Sequence, residues 1–505
     1  MGKRLVAGDY RVLFKGKAKR KSRKPHDSVD PKTSPSQSLS FWNAQDLPHR
    51  IEENALVILY AVSSSSGRRR DWLSSAGKLS LFRLACFPQL PAVRVMMGMH
   101  KLLRTAALLL VAPYAIYVVI LFLLAVPVVQ RHALYAHKIN DLFWTDLNGP
   151  EAWGFASNQV TPFTIATPDG ESVYAWHITP LPLYLKNEVR LTAQPSGLSP
   201  NFTNTESFRL LREDPNARLI LYFHGTAGHI AQAVRPDSYH ALTDTSSYHV
   251  VSIDYRGYGH STGAPTEDGL IQDATALVDW ALRVAGISPN RVVLLGHSLG
   301  TAVVSGVAEQ YARKGIEFAG IVLVAGFSDL GSLIGGYRIG GLLPLLGPFA
   351  AWPALVRRLE RFVVDRWHSS NRLASIVRHT KTRLRLNLIH ARNDRDIPCS
   401  EGDKLFRAAA NETVGIIDEA EFAAWKEQRT IRKRKDAFVT TWTSDPDIIV
   451  RQELFPYGAH DPIMSYAPVA MAIMRSFDYQ GTAYMQTTDG QRRPWLRSHS
   501  SLEGP

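Results

Sequence analysis

Five short runs with apolar centres recur through the middle of this chain: ARLILYFHG (217–225), YHVVSIDYRGYG (248–259), RVVLLGHS (291–298), GIVLVAG (320–326) and RLNLIHA (385–391). Strands that are apolar at successive positions, instead of alternating, are covered on both faces. Segments of helical period lie between them. Leu270, Ala274, Leu277, Val278, Ala281, Leu282 and Ala285 share one helix face, and TAVVSGVAEQYARK suits a second helix. The pattern predicts an α/β fold with a mostly parallel sheet and helices on both sides. Ahead of it, VTPFTIA and ESVYAWHIT flank Pro168-Asp169-Gly170 and predict a hairpin over 160–179. The polar stretch 182–216 reads as a surface loop, and 463–476 as a final helix.

A second constraint sits nearer the N-terminus. From Thr105 to Gln130 there is no charged residue, and a helix of that length reaches about 39 Å, enough to cross a hydrocarbon core of about 30 Å. We expect one transmembrane anchor over 105–130. Arg94, Lys101 and Arg104 precede it, and Arg131 and Lys138 follow. That bias favours a cytoplasmic N-terminus with the large domain in the lumen. Sequons at Asn201-Phe202-Thr203 and Asn411-Glu412-Thr413 fit a lumenal domain.

The net charge of +13 belongs to the tail, because residues 1–104 carry 20 Lys/Arg and 7 Asp/Glu, and the remaining 38 of each sign cancel. Basicity is therefore no argument for a nucleic-acid-binding domain. Residues 1–98 read as a disordered basic arm able to touch anionic head groups, or as a stretch bypassed by starting translation at Met96, Met97 or Met99. Cys86 and Cys399 lie too far apart in context to suggest a disulfide.

Within VVLLGHSLG, Ser298 has glycines two places before and two after. The spacing alone is weak. Its setting, an apolar strand directly before Gly296 and a helix directly after Gly300, is that of a nucleophile elbow. Serine needs a base, and the base needs an orienting acid. NLIHARNDRDIP offers Asp394 and Asp396 after a late strand, and ELFPYGAHDP offers His460 after the last one. His224, His229, His260, His297 and His390 are rivals, but strand order favours His460. The oxyanion of acyl transfer needs preorganised donors. These are expected from the Leu299 N–H and from Phe223-His224-Gly225-Thr226-Ala227-Gly228, with the Thr226 N–H as donor and Gly225 shaping the loop. No metal or cofactor is needed for such chemistry.

YFHGTAGH, DYRGYGHSTG, LLGHSLGTA, IHARNDRDIP and GAHD, in that order behind one anchor, resemble the α/β-hydrolase superfamily. More narrowly they resemble its membrane-anchored lipases of the α/β-hydrolase domain-containing protein twelve type. The resemblance implies an α/β-hydrolase fold over 150–477 and a triad of Ser298, Asp394 and His460, and it selects Asp394 over Asp396. It also implies hydrolysis of monoacylglycerols and lysophospholipids, notably lysophosphatidylserine, at the lumenal face of the endoplasmic reticulum. The partners expected are a lipid ester substrate and the bilayer, with no nucleic acid.

The sequence departs from that pattern in the tail before Met96 and at 414–447, which looks inserted and carries Arg429, Arg432, Lys433, Arg434 and Lys435. This insertion reads as a solvated loop or as a docking patch for anionic head groups. Residues 329–380 are expected to form a cap, either lining an acyl channel or packing as ordinary core, and 478–505 a disordered tail. A protein acyl-thioesterase or serine peptidase would use the same triad, and a non-catalytic membrane-anchored interaction protein is a different class again.

Overall fold

In a computed structural model of the protein, residues 91–336 and 361–478 are described, with 338–339, 343–344, 352, 354 and 358 between them. The expectations for residues 1–90 and 479–505, and for most of 337–360 in the cap, lie outside that range.

Helix α1 spans Pro91–Leu124 with Pro113 inside it, and α2 spans Pro127–Tyr135 with Pro127 at its start. The uncharged run is therefore divided, because proline starts a helix readily but cannot donate into a preceding one. Gly98–Leu124 has a mean hydropathy of 2.7 and is long and apolar enough to cross a membrane.

Ten strands form one sheet. They are β1 (Val160–Ala166), β2 (Ser172–Ile178), β3 (Arg218–Phe223), β4 (Tyr248–Ile253), β5 (Val292–His297), β6 (Gly320–Val324), β7 (Leu384–Ala391), β8 (Thr430–Arg432), β9 (Phe438–Ser444) and β10 (Ile448–Phe455). Their order is β1-β2-β4-β3-β5-β6-β7-β10-β9-β8. The six central strands, β4 to β10 in that order, pair in parallel, and both flanks are antiparallel. The predicted hairpin is β1–β2, with Phe163 opposite Ala175. β4, β5, β6 and β7 are buried at every position, as two-sided cover demands.

On one face lie α6 (Glu267–Asp279), α7 (Leu299–Arg313), α9 (Ser369–His379) and α10 (Ser400–Val414). Leu277, Val303, Ile376 and Phe406 belong to its core. On the other, α5 (Arg235–Thr243) and α12 (Ala467–Asp478) pack Leu242 and Ile473 against Ile220 and Val322. Between β6 and α9 the described cap contains α8 (Leu330–Gly336).

Three readings are corrected. The stretch 182–216 is not a loop: α3 (Leu181–Thr192) buries Tyr184, Asn187 and Leu191, and α4 (Glu206–Glu213) buries Phe208 and Leu211. Each helix buries only a narrow stripe, so few apolar residues marked it. Thr205 caps α4 by accepting the Phe208 N–H. The second run keeps strand geometry only to Ile253, because the chain then enters a turn closed by the Tyr258 N–H on the Tyr255 carbonyl.

The third correction is the segment 414–447, which is not a solvated loop. It folds into α11 (Glu419–Glu427) and the edge strands β8 and β9. Three of its five clustered cations are engaged there. Arg429 stacks on Trp425 and Trp442, Arg432 pairs with Glu427 at 2.7 Å, and Lys435 bonds the Tyr457 hydroxyl.

Candidate active site

β3 and β5 are neighbours, while the chain leaves β3 for β4 on the opposite side. Such a reversal in strand order opens a crevice at the carboxyl ends of the strands. Ser298 stands there, between β5 and α7, with φ 52° and ψ −120°. A non-glycine residue held at positive φ stores about 1–3 kcal/mol of strain, and it aims the side chain above the sheet. The Ser298 N–H donates to the Val324 carbonyl at 3.0 Å, fixing the turn to β6. The flanking glycines are needed for space. A Cβ on Gly296 would lie 2.5 Å from the Gly300 carbonyl oxygen, and one on Gly300 would lie 2.0 Å from that of Phe223.

Ser298 Oγ lies 2.9 Å from His460 Nε2, and His460 Nδ1 lies 2.8 Å from Asp394 Oδ2. Nδ1–H donates to the carboxylate, which leaves Nε2 free to accept the serine proton. The other carboxylate oxygen, Oδ1, accepts the N–H groups of Asp396 and Ile397, both at 2.9 Å. Burial by itself would raise the Asp394 carboxyl. Hydrogen bonds from His390 and His460, the His460 charge and the Ile397 N–H outweigh burial and hold it well below the usual carboxylate range. For His460, burial pulls down, but the hydrogen bond and charge of Asp394, with Asp461 and Asp396, raise it above its ordinary value.

His297 is buried, and its Nε2–H donates to the His460 carbonyl at 2.9 Å. Burial and the His460 charge lower His297 to about 3, so it stays neutral and acts on the backbone of the loop. His390 Nε2 lies 3.3 Å from Asp394 Oδ2. None of the five rival histidines hydrogen-bonds Ser298 Oγ as His460 does.

The loop after β3 lies against the serine, since a Cβ on Gly225 would come within 3.1 Å of Ser298 Cβ. Arg235 Nη2 donates to the carbonyls of Gly225, Thr226 and Ala227 at 3.2, 3.1 and 2.8 Å. Across a trans peptide, each following N–H points the opposite way. The Ala227 and Gly228 N–H groups donate to the carbonyls of Tyr135 and Ile139 at 3.0 and 2.9 Å. Of these three N–H groups, only that of Thr226 has no acceptor among the described residues. Leu299 opens α7, where the first N–H groups of a helix lack an acceptor within it.

A cavity of about 580 Å³ joins these parts. Gly225, Thr226, His297, Ser298, Leu299 and His460 line it, and its apolar lining includes Leu121, Leu124, Leu134, Phe327, Leu330 and Leu333. Two groups, His297-His460-Asp461 and Asp394-Asp396-His460, bring possible metal-ligand atoms within 4.8 Å. Both use His460, whose nitrogens already face Ser298 and Asp394.

Residues 220–474 match the model of the alpha/beta hydrolase family. The chain belongs to that family. Among curated relatives of this α/β hydrolase, human Protein ABHD12B is 34% identical over 199 residues, which is 38% of this chain and 50% of that protein. The lysophosphatidylserine lipase ABHD12 of Xenopus tropicalis is 26% identical over 298 residues, 58% of this chain and 69% of its own. That of Mus musculus is 26% identical over 299 residues, 58% of this chain and 67% of its own. The match thus spans about half the length of Protein ABHD12B.

Two residues of this α/β hydrolase went unnoticed in the sequence. Arg235, which organises the β3 loop, has no local signature beyond a Pro that follows it. Asn393 stands beside Asp394, and its Oδ1 accepts the Ala459 N–H at 2.9 Å. An Asn in a turn commonly bonds backbone, which was the available signal.

Proposed function

We propose that this chain is a membrane-anchored serine hydrolase that cleaves lipid esters, with monoacylglycerols or lysophospholipids as substrates. One observation carries the reading: the hydrogen-bonded chain Ser298–His460–Asp394 opens on a mostly apolar cavity whose lining includes the end of α1. The names of the ABHD12 relatives support the lysophospholipid class.

In this mechanism His460 Nε2 takes the Ser298 proton as Oγ attacks the ester carbonyl carbon. The Leu299 and Thr226 N–H groups receive the oxyanion, with Gly225 allowing the close approach. Collapse breaks the ester C–O bond, and His460 protonates the leaving glycerol oxygen. Water then gives a proton to His460 as it attacks the acyl carbon, and His460 returns that proton to Ser298 Oγ as the acyl–Oγ bond breaks and the fatty acid departs. Asp394 keeps the imidazole in the required tautomer and offsets its positive charge.

The location we propose is the endoplasmic reticulum membrane, with α1 as a single-pass anchor and the hydrolase domain lumenal. Exposed Asn201 supports that side. Loss of a glycosidase-sensitive mass shift in Asn201→Gln would test it, whereas a chain that never carries glycan would oppose it. For the activity, full-length protein in vesicles should release fatty acid from lysophosphatidylserine or monoacylglycerol, and Ser298→Ala should release none above background. Equal release by both would refute the assignment.

A further inference from the structure

The cavity that holds Ser298 is not closed by the hydrolase domain alone. Leu121, Leu124 and Ala125, at the end of the apolar span Gly98–Leu124, line it together with Phe362 and Val363 of the cap. Their neighbour Phe122 is 72% exposed, so a single turn of α1 faces outward on one side and the cavity on the other. The junction is pinned in place. The Gln130 side chain donates to the Phe362 carbonyl at 2.6 Å and accepts the Val364 N–H at 3.1 Å. Tyr135 Oη donates to Asp365 at 2.7 Å.

The segment that follows α2 joins the same construction. Its Ile139 carbonyl takes the Gly228 N–H of the β3 loop. Just beyond, Phe143 and Trp144 form an edge-to-face pair exposed at 86% and 82%. Exposed aromatic residues beside a membrane span sit well at the level of lipid head groups. Arg235, Asp396, His460 and Asp461 line the cavity with Ser298, and the Leu, Ala, Phe and Val side chains of α1, the segment after it and the cap make the rest of its lining mostly apolar.

We propose that the last turn of α1 is the distal wall of the acyl-chain site, so that the chain of a long-chain monoacyl lipid lies against the membrane helix while its ester reaches Ser298. This rests on the lipid-esterase reading above. A chain placed there leaves the leaflet without passing through water, and the anchor becomes part of the specificity pocket.

The test uses the full-length protein in vesicles and compares hydrolysis of an eighteen-carbon and a four-carbon monoacyl ester. Leu121→Trp and Leu124→Trp should each lower the long-to-short rate ratio at least tenfold. Leu124→Ala should move the preferred chain toward greater length, and Phe122→Trp, on the outward side, should leave the ratio within twofold. Fluorophosphonate labelling of Ser298 in every variant reports an intact site. Labelled Leu121→Trp and Leu124→Trp proteins with an unchanged ratio overturn the proposal, as does an equal loss in Phe122→Trp. If only the tryptophan variants fail to label, an unmoved chain-length preference in Leu124→Ala overturns it. Wild-type protein that labels yet hydrolyses neither ester overturns the esterase reading, and the proposal with it.

Discussion

Asn393 Oδ1 accepts the Ala459 N–H at 2.9 Å, so the loop carrying Asp394 grips the loop carrying His460. Both loops follow parallel neighbours, β7 and β10, and Ala459 is held at φ 48°. The bond fixes the separation of acid and base through the backbone. Asn393→Ala is expected to lower kcat about ten- to a hundredfold, the range set by displacements of about 1 Å in a reacting group. KM should change little, and the melting temperature should stay within a few degrees. Comparing kcat, KM and thermal melting of this variant with wild type checks the role. A large fall in melting temperature with kcat intact would make the bond merely structural.

The pH profile follows from His460. In the proposed mechanism it must be neutral to accept the serine proton, and burial pulls its pKa down while its neighbours, Asp394 foremost, raise it overall. Activity should therefore rise with pH along a single limb whose midpoint lies above the ordinary histidine value of about 6.5. His297 adds no second limb in that range, because burial and the His460 charge hold it near 3. Asp394→Asn removes the charge that raises His460 while burial remains, so the limb should move to lower pH. The plateau should fall by about 10⁴-fold, as expected when the base loses its tautomer. The pH dependence of kcat/KM for both proteins is the measurement.

Arg235 offers a test of the oxyanion loop. Its planar guanidinium reaches the carbonyls of Gly225, Thr226 and Ala227 from one nitrogen and that of His229 from another. An ammonium cannot reproduce that fork. Arg235→Lys should lower kcat by about 10²-fold or somewhat less, since removing one oxyanion donor costs about 10²–10³-fold. Ser298 acylation rates measured by stopped flow would show the defect in the chemical step. An unchanged acylation rate would place Arg235 outside the mechanism.

Much of this arrangement was legible in the sequence, and the reasons are local. The runs at 217–225, 291–298, 320–326 and 385–391 marked buried strands because both faces of a central strand are apolar. Ser298 stood out because Gly296 and Gly300 report crowding at the elbow, and the structure puts backbone oxygens where their Cβ atoms would be. His460 was placed by strand order, which offered Asp394 and Asp396 alike, and the family resemblance selected Asp394. Arg235 was not legible, since a carbonyl-binding arginine at a helix start looks like any surface cation. Residues 181–192 and 206–213 were missed because their buried stripes are only two or three residues wide. The fold of 414–447 was hidden by its charge, which stacking of Arg429 on Trp425 and Trp442 accommodates.

The elbow predicts a stability effect separate from catalysis. In Gly300→Ala the new Cβ would sit 2.0 Å from the Phe223 carbonyl oxygen, a backbone atom that cannot swing away. β3 or α7 must shift, at a cost of about 1–3 kcal/mol or more. Denaturant unfolding of the variant should show a lower midpoint with a similar slope. A midpoint equal to wild type would mean that the turn has more room than the structure allows.

The proposed mechanism turns on acylation of Ser298 by substrate. Its most direct test is peptide mass spectrometry of the full-length protein after treatment with a fluorophosphonate probe, alongside Ser298→Ala and His460→Ala controls. One adduct is expected on the peptide containing GHSLG, absent in Ser298→Ala and strongly reduced in His460→Ala. An adduct on another serine, or no adduct on a folded wild-type protein, would contradict it.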